Sequence, residues 1–563
     1  MDITNKNNSF IDKIFLNKWT PVIIIIIIGF LIYGRTLFFN FTYLDDNVLI
    51  LDNQYFLSKI TNIFQSFLAD VFHLFNSSAF YYRPMLTISF IFDYQIGGAY
   101  PFIYHFTNIS LHILVSFLIF IFFKKLDYKK ELAFLFSIIF LVHPVLTQAV
   151  AWIPGRNDSL LAVFILSSFI FFIKYLKEEK IKNLFLGLLF FSLAIFTKES
   201  ALSILFLMIF YSCFIYKEKK LFIKNLYFFI GLFGIVTIWA IIRNIVLLGS
   251  IPITPTIIIR SIYSNFLAIP QFIGKIFFPF NLSVLPIIKD TTFIYGTIAI
   301  ILLIILFILI KKKRWNFILF GFMWFFAFLL PAFIRPYGNI IADFLEHRLY
   351  VPIIGIFIFL LETDFVGKID FKNKKTLILI GSLIFLFSII NIIHNGNFSD
   401  KLSFWENAAQ TSPNHPLAHR NLGAMQYLNK DMENAEKESK IALELNPEEQ
   451  MAHNNLGLIY ASQNKLKEAE EEYKKELENN PYYDNAYFNL GLLYWNQEKY
   501  DDAVNSWKKT LELNPNYIDA FNALMIYNYE QKNYEEMTIY ANKLYKRGIQ
   551  IPPEIIQIIQ NQN

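Results

Sequence analysis

Two adjacent carboxylates, Asp45 and Asp46, stand just beyond the first long apolar run of the chain, in Phe41-Thr-Tyr-Leu-Asp45-Asp46-Asn47. Such a pair has three readings: a solvated loop pair, part of a metal site, or a general base with its supporting acid. A carboxylate near its ordinary pKa can take the proton of a hydroxyl as that hydroxyl attacks an electrophile. A second set of residues is cationic and widely spaced: Arg83, Arg156, Lys198, Arg243, Arg335 and Arg348. Single cations converging on one face suit a bound phosphate; snorkelling or the setting of topology is the bland alternative. Further polar residues interrupt the apolar runs: His105 and His112, His143-Pro144, Trp152-Ile-Pro-Gly155-Arg156-Asn-Asp158, Thr197-Lys198-Glu199 and Glu346-His347-Arg348-Leu349-Tyr350. Each has a structural reading: a turn with a helix N-cap at Gly155–Asp158, an ion pair at Lys198-Glu199, interhelical hydrogen bonds at His105 and His112. All but His112 fall at one end of apolar segments, which suggests one site. No compact His/Asp/Glu spacing specifies a ligand set. Metal-independent chemistry is therefore expected, with a divalent ion as the alternative.

The elements that must position these residues are apolar and helical. Hydrophobic residues make up 55% of the 563 and aromatic residues 18%, against 45–50% apolar in ordinary soluble chains. The distribution is uneven. From Pro413 onward there are 15 Lys+Arg against 23 Asp+Glu, and the remainder carries 35 against 22, so a basic apolar half precedes an acidic polar one. The basic residues lie in short loops between apolar runs, which argues against nucleic acid as a partner. The single cysteine, Cys213, excludes an intramolecular disulfide. A helix crosses the bilayer in about 20 apolar residues. About eleven spans are expected, at roughly 20–39, 105–123, 131–149, 158–176, 182–197, 200–216, 222–245, 293–311, 315–334, 346–364 and 375–394. The first reads as a retained anchor.

Lysine clusters at 124–130, 174–182, 217–224, 311–314 and 368–375 fix the orientation, because short basic loops stay cytoplasmic. Residues 257–280 are apolar but carry Arg260, Pro270, Gln271 and Lys275. Counting them as a span would turn the 311–314 cluster outward, so they read as interfacial or re-entrant. The N-terminus is then inside, and the Asp45-Asp46 loop and the C-terminal half are outside. In the first outer loop, Ser58 is expected to cap an amphipathic interfacial helix with Ile60, Ile63, Phe64, Phe67, Val71 and Phe72 on one face.

The acidic half repeats itself. Asn446-Pro447, Asn480-Pro481 and Asn514-Pro515 recur at 34 residues, as do Leu422-Gly423, Leu456-Gly457 and Leu490-Gly491, and Ala435, Ala469 and Ala503. Period and motif match the tetratricopeptide pattern. Three clear units and a degenerate fourth over 517–550 are expected, forming a solenoid with a concave surface for a protein or peptide. The organisation is all-α: a membrane domain over 1–398, a linker over 399–412 and repeats over 413–563.

Taken in order, Asp45-Asp46, Tyr82-Arg83-Pro84-Met85-Leu86-Thr87, His105-Phe-Thr-Asn108 with His112, His143-Pro144-Val-Leu-Thr-Gln-Ala149-Val150-Ala151, Gly155-Arg156-Asn-Asp158, Lys198-Glu199 and Glu346-His347-Arg348-Leu349-Tyr350 resemble the motifs of GT-C membrane glycosyltransferases, closest to the transmembrane-and-tetratricopeptide-repeat O-mannosyltransferases and their prokaryotic relatives. The animal members commonly show Glu-Arg-x-Leu-Tyr where this chain has Glu346-His347-Arg348-Leu349-Tyr350, which shifts the arginine by one. The resemblance implies a GT-C-type helical bundle, a polyprenyl-phosphate-linked sugar as donor and a protein hydroxyl as acceptor. Asp45 would be the base, with Asp46 supporting it or contacting the acceptor. Arg83, Lys198, Arg243 and Arg348 would meet the donor phosphate, with His105, His143, Arg156, Glu199, Glu346, His347 and Tyr350 as further substrate contacts. The repeats would hold acceptor proteins, and the chain would sit in the inner (cytoplasmic) membrane. A non-catalytic membrane-anchored scaffold, a transporter, or an enzyme acting on lipid or polysaccharide are the rival expectations.

Overall fold

The computed structural model of the protein describes residues 14–15, 17–73, 81–216, 221–248, 254–311, 314–334, 344–547 and 549–562, and among these there is no β-strand. The chain divides into two units, Met1–Ser412 and Pro413–Asn563. Among the described residues of the first, seven helices are long and apolar enough to cross a membrane: Thr20–Phe38, Pro101–Lys125, Ile153–Glu178, Glu199–Tyr216, Leu226–Val246, Trp315–Phe333 and Lys374–Phe398. Their phenylalanine, isoleucine and leucine side chains bury a continuous core between them.

The expected count of eleven is reached only by admitting less regular pieces. Lys130–Val142 and Pro144–Ala151 together have the length of a span but bend by 54°. The cause is local: a residue before proline is driven to extended backbone, and His143 sits at φ −66°, ψ 120°. Pro255–Ser264 and Ala268–Phe277 form a second bent pair, at 52°, where the irregular segment 257–280 was expected. The helices Ile181–Ile195 and Ile294–Leu309 are apolar but short. Segment 346–364 departs most from expectation. It begins with a 3₁₀ turn, Glu346–Leu349, and its α-helix is only Ile353–Leu361, because Pro352, at the N-cap of that helix, has no N–H to continue a helix from the turn.

The loop after the first span also differs from expectation. No single amphipathic helix forms there. Gln54–Leu57 and Asn62–Gln65 are short separate turns, and Ser58 caps the end of the first, its hydroxyl donating to the Tyr55 carbonyl at 2.9 Å. Val71, Ile63 and Phe72 join a small core with Phe41, Leu49 and Phe90, whereas Ile60 and Phe64 face outward. Residues 399–412, expected as a linker, instead hold the helix Lys401–Thr411, capped by Asp400 through the Leu402 and Ser403 N–H groups. The lysines at 217, 219, 220, 312 and 313 lie outside the described residues.

In the second unit the 34-residue period becomes four helix pairs: Pro416–Leu428 with Met432–Leu445, Ala452–Ser462 with Leu466–Asn479, Asp484–Asn496 with Tyr500–Leu513, and Ile518–Glu530 with Tyr534–Tyr545. The glycine of each Leu-Gly motif lies where its pair touches. A Cβ on Gly457 would sit 2.5 Å from the Tyr473 ring, and one on Gly491 2.5 Å from the Trp507 indole nitrogen. Ala435, Ala469 and Ala503 are wholly buried, so the repeating small residues are the close-packing surface that the motif requires.

Candidate functional site

In the first unit a cavity of about 250 Å³ opens at helix ends, and it gathers residues from seven separate stretches of chain. Asp45 comes from the loop after the first span, Arg83 from the N-cap of helix Pro84–Gly97, and Asn157 and Asp158 from the first turn of Arg156–Glu178. Lys198 and Glu199 come from the turn after Ile181–Ile195, His347 and Arg348 from the Glu346–Leu349 turn, and Phe328, Pro331 and Ile334 from the end of Trp315–Leu329 and the turn beyond it.

The carboxylate pair is split between two tasks. Asp46 is buried and turned inward, its Oδ2 accepting from the Thr42 N–H at 2.7 Å and the Thr42 hydroxyl at 3.1 Å. This closes a tight turn in which Asp45 adopts φ +67°, a left-handed conformation that aspartate visits more readily than most residues. The Trp152 indole N–H donates to the Leu44 carbonyl at 2.8 Å and pins the same turn to the cavity wall. Asp45 is thus aimed into the cavity, and its side chain has no hydrogen-bond partner among the described residues. Burial pushes the Asp45 carboxyl up to about 6, an effect opposed by the Arg83 charge. Burial pushes Asp46 further, to about 7; the Thr42 hydrogen bonds oppose that rise and the neighbouring Asp45 charge adds to it.

The cations facing Asp45 are held in place. Arg83 donates to Glu199 through Nη2 at 2.8 Å and Nε at 3.3 Å, and lies over the Tyr81 ring. Burial disfavours the Arg83 charge, but Glu199 outweighs that and holds its pKa above the ordinary arginine value. Asn157, with its amide oriented to satisfy both neighbours, accepts from Arg83 Nη1 at 3.0 Å and donates to the Thr197 carbonyl at 3.0 Å. Lys198 donates to Asp158 Oδ1 at 2.7 Å. The adjacent Lys198 and Glu199, expected as substrate contacts with a local ion pair as the structural alternative, each pair with a different partner across the site. His347 is fixed through Gln148, whose Oε1 lies 3.1 Å from both its backbone N and its Nδ1, and its ring packs on Trp152.

Several sequence candidates lie away from the cavity. Arg156 is wholly buried, paired with Asp93 at 2.5 Å and donating to Asn108 Oδ1 and the Tyr104 carbonyl. Glu346 is wholly buried between Lys275, at 2.6 Å, and His394, at 3.1 Å. Tyr350 bonds His112 at 2.7 Å. His143 donates from Nε2 to the Ile276 carbonyl at 2.9 Å, and His105 is buried edge-on to Phe39. Arg243 lies over Trp239 and does not line the cavity, and Arg335 falls outside the described residues. These side chains hold the frame: Arg156 ties the first turn of one span to two neighbours, and the Lys275–Glu346–His394 cluster ties the second bent helix pair to the last span. Sequence reading placed Asp158, Asn157, Gln148 and Trp152 inside motifs without giving them a site role, and missed Lys275 as the partner of Glu346. Those pairings link residues tens to hundreds of positions apart, which spacing along one chain does not reveal. Among the described residues no group of three or more His, Cys, Asp or Glu side chains is placed to hold a metal ion.

Fold and site thus define an all-helical polytopic membrane protein with a polar cavity at its helix ends and a tetratricopeptide solenoid after it. Residues 440–484 and 485–517 match the tetratricopeptide repeat family. The chain is similar to the mouse protein "Protein O-mannosyl-transferase TMTC2", 35% identical over 150 residues that cover 26% of this chain and 18% of that protein. It is also similar to the human "Protein O-mannosyl-transferase TMTC1", 38% identical over 96 residues, 17% of this chain and 11% of the relative. The matched stretches thus span less than a fifth of these relatives' length, and they agree with the resemblance carried by the ordered motifs. Among solved structures, "MamA 41-end from Desulfovibrio magneticus RS-1" is similar over 29% of this chain and 86% of its own, at 20% identity and a TM-score of 0.23.

Proposed function

We propose that this protein is a membrane glycosyltransferase that moves a sugar from a polyprenyl-phosphate carrier to serine or threonine hydroxyls of proteins on the extracytoplasmic face. The observation that carries the reading is Asp45: a half-buried carboxylate with no hydrogen-bond partner among the described residues, aimed into a cavity that also holds Arg83, Lys198 and Arg348. The names of the similar proteins support the same reaction class.

In this reading the acceptor oxygen attacks the anomeric carbon while its proton passes to Asp45. The bond from that carbon to the phosphate oxygen breaks, its electron pair stays on the phosphate, and the configuration inverts. The leaving phosphate gains a negative charge, and preorganised donors aimed at developing charge are commonly the largest catalytic contribution. Arg83 and Lys198 each hold one carboxylate and keep further N–H groups for a phosphate oxygen. Asp46 shapes the turn that presents Asp45. The apolar flank of Phe328, Pro331 and Ile334 faces the polyprenyl chain, and the repeats hold the acceptor segment. The membrane is the inner one, with the N-terminus cytoplasmic.

Intact masses of envelope proteins from wild-type, deletion and Asp45→Asn cells test the proposal. Sugar-sized increments that vanish in both mutants, with Asp45→Asn protein at wild-type abundance, are the expected result. Increments that persist in Asp45→Asn cells would remove Asp45 from the reaction. Their absence from wild-type cells would favour a lipid or polysaccharide acceptor, or the scaffold.

A further inference from the structure

The histidine of the Glu346–Leu349 turn has its tautomer set by a chain of hydrogen bonds. Gln148 Nε2 donates to the Val284 carbonyl at 2.9 Å, which leaves only Oε1 to face His347. That oxygen accepts from the backbone N–H of His347 and lies 3.1 Å from Nδ1. Since an amide oxygen only accepts, Nδ1 carries the proton and Nε2 is left with a lone pair. Gln148 is wholly buried, so neither amide nor ring is free to turn over. The face of the ring is covered by Trp152, and the Nε2 edge looks into the cavity.

Asp158 Oδ2 lies 4.0 Å from that Nε2. The other oxygen, Oδ1, takes the Lys198 ammonium, and Oδ2 receives no donor among the described residues. Two acceptors thus stand side by side, too far apart to bond each other and with no proton between them. Both side chains line the cavity and neither atom is sealed from it, so the donors of a bound ligand can reach them. What fits is a ligand offering two O–H donors on neighbouring atoms. Asp158 and His347 come from helix Arg156–Glu178 and the Glu346–Leu349 turn, segments separate from the loop that carries Asp45.

We infer that His347 Nε2 and Asp158 Oδ2 together accept hydrogen bonds from two adjacent hydroxyls of the donor sugar, making them the specificity-determining contacts for a vicinal diol. The inference rests on the glycosyltransferase reading for the identity of the ligand, but binding can be measured without turnover.

The test uses the full-length protein in detergent and water-soluble hexose 1-phosphates, each lacking one ring hydroxyl, titrated by calorimetry. In wild type, removal of either of two neighbouring hydroxyls is expected to weaken binding roughly tenfold or more, the range for hydrogen bonds to charged or buried acceptors. In His347→Ala one of those two sensitivities disappears, in Asp158→Asn the other does, and His347→Gln, which can again present an acceptor, restores the first in part. Thermal unfolding of each variant separates lost folding from lost recognition. Equal deoxy-sensitivity in wild type and all variants, or no binding of any hexose phosphate, overturns the inference. Nitrogen NMR of a protein labelled at histidine gives an independent result: a His347 ring protonated on both nitrogens also overturns it. Wild-type protein that shows the diol preference yet transfers no sugar to any hydroxyl would sink the transferase reading and leave the diol contacts standing.

Discussion

If Asp45 is the base, its protonation must govern activity in acid, and the structure fixes where. With the carboxyl at about 6, roughly nine-tenths is ionised at pH 7, half at pH 6 and about one-tenth at pH 5, so kcat/KM should fall about tenfold per pH unit on the acid side. The sign of the Arg83 contribution is also fixed. Its positive charge favours the ionised carboxylate and holds the Asp45 value down against burial. Replacing Arg83 by Met should therefore move the acid limb to higher pH, besides lowering the maximal rate through the lost phosphate contact. The limb should move, and not merely the plateau drop, since a residue with only a structural role would lower activity at every pH alike. The assay is the transfer of radiolabelled sugar from a polyprenyl-phosphate donor to a serine- and threonine-containing peptide in proteoliposomes between pH 4.5 and 8. An acid limb near pH 4, the ordinary aspartate range, or a limb in Arg83→Met that moves to lower pH, would refute the reasoning.

Three further outcomes follow from the frame around the site. Removing one member of the buried Lys275–Glu346 pair, as in Glu346→Gln or Lys275→Met, should cost about 3–5 kcal/mol, seen as a large fall in unfolding temperature. The double replacement Lys275→Met with Glu346→Leu should cost less than either single change. Gly155→Ala should destabilise by about 1–3 kcal/mol, because its Cβ would meet the Gln148 carbonyl oxygen at 2.5 Å and the Ala149 Cα at 2.9 Å, both backbone atoms. It should also loosen the Gln148 that holds His347, so sugar-phosphate binding should weaken along with stability. For orientation, a Tyr482→Cys protein in a Cys213→Ser background carries one thiol at an exposed position of the repeats; a membrane-impermeant maleimide should label it without disrupting the inner membrane, and labelling only after lysis would reverse the topology.

What the sequence revealed depended on how local the signal was. The repeats were legible because Leu-Gly, alanine and Asn-Pro recur at a fixed period, and each recurrence is a contact inside one helix pair. Long spans were legible from unbroken apolar runs, but proline obscured two others: Pro144 bends one span and Pro352 leaves segment 346–364 with a nine-residue helix. At the site, sequence singled out Asp45, Arg83, Lys198, Glu199, His347 and Arg348, and the cavity brings these together. It also grouped Arg156, Glu346, His143 and Tyr350 with them, and these are buried in contacts of their own. A charged residue near a span end has the same appearance in sequence whether it faces a ligand or a buried partner. What separates the cases is the partner, and Asp93, Lys275 and His112 lie 63, 71 and 238 positions from the residues they satisfy.

The most direct measurement of the central claim is single-turnover sugar transfer by purified wild-type and Asp45→Asn protein in liposomes loaded with a radiolabelled polyprenyl-phosphate sugar, with a hydroxyl-bearing peptide added outside. The account requires labelled peptide of inverted anomeric configuration from wild type and a rate lower by about 10²–10⁴ for Asp45→Asn, with donor binding retained. Transfer by Asp45→Asn at the wild-type rate, or retention of configuration by the wild-type protein, would contradict it.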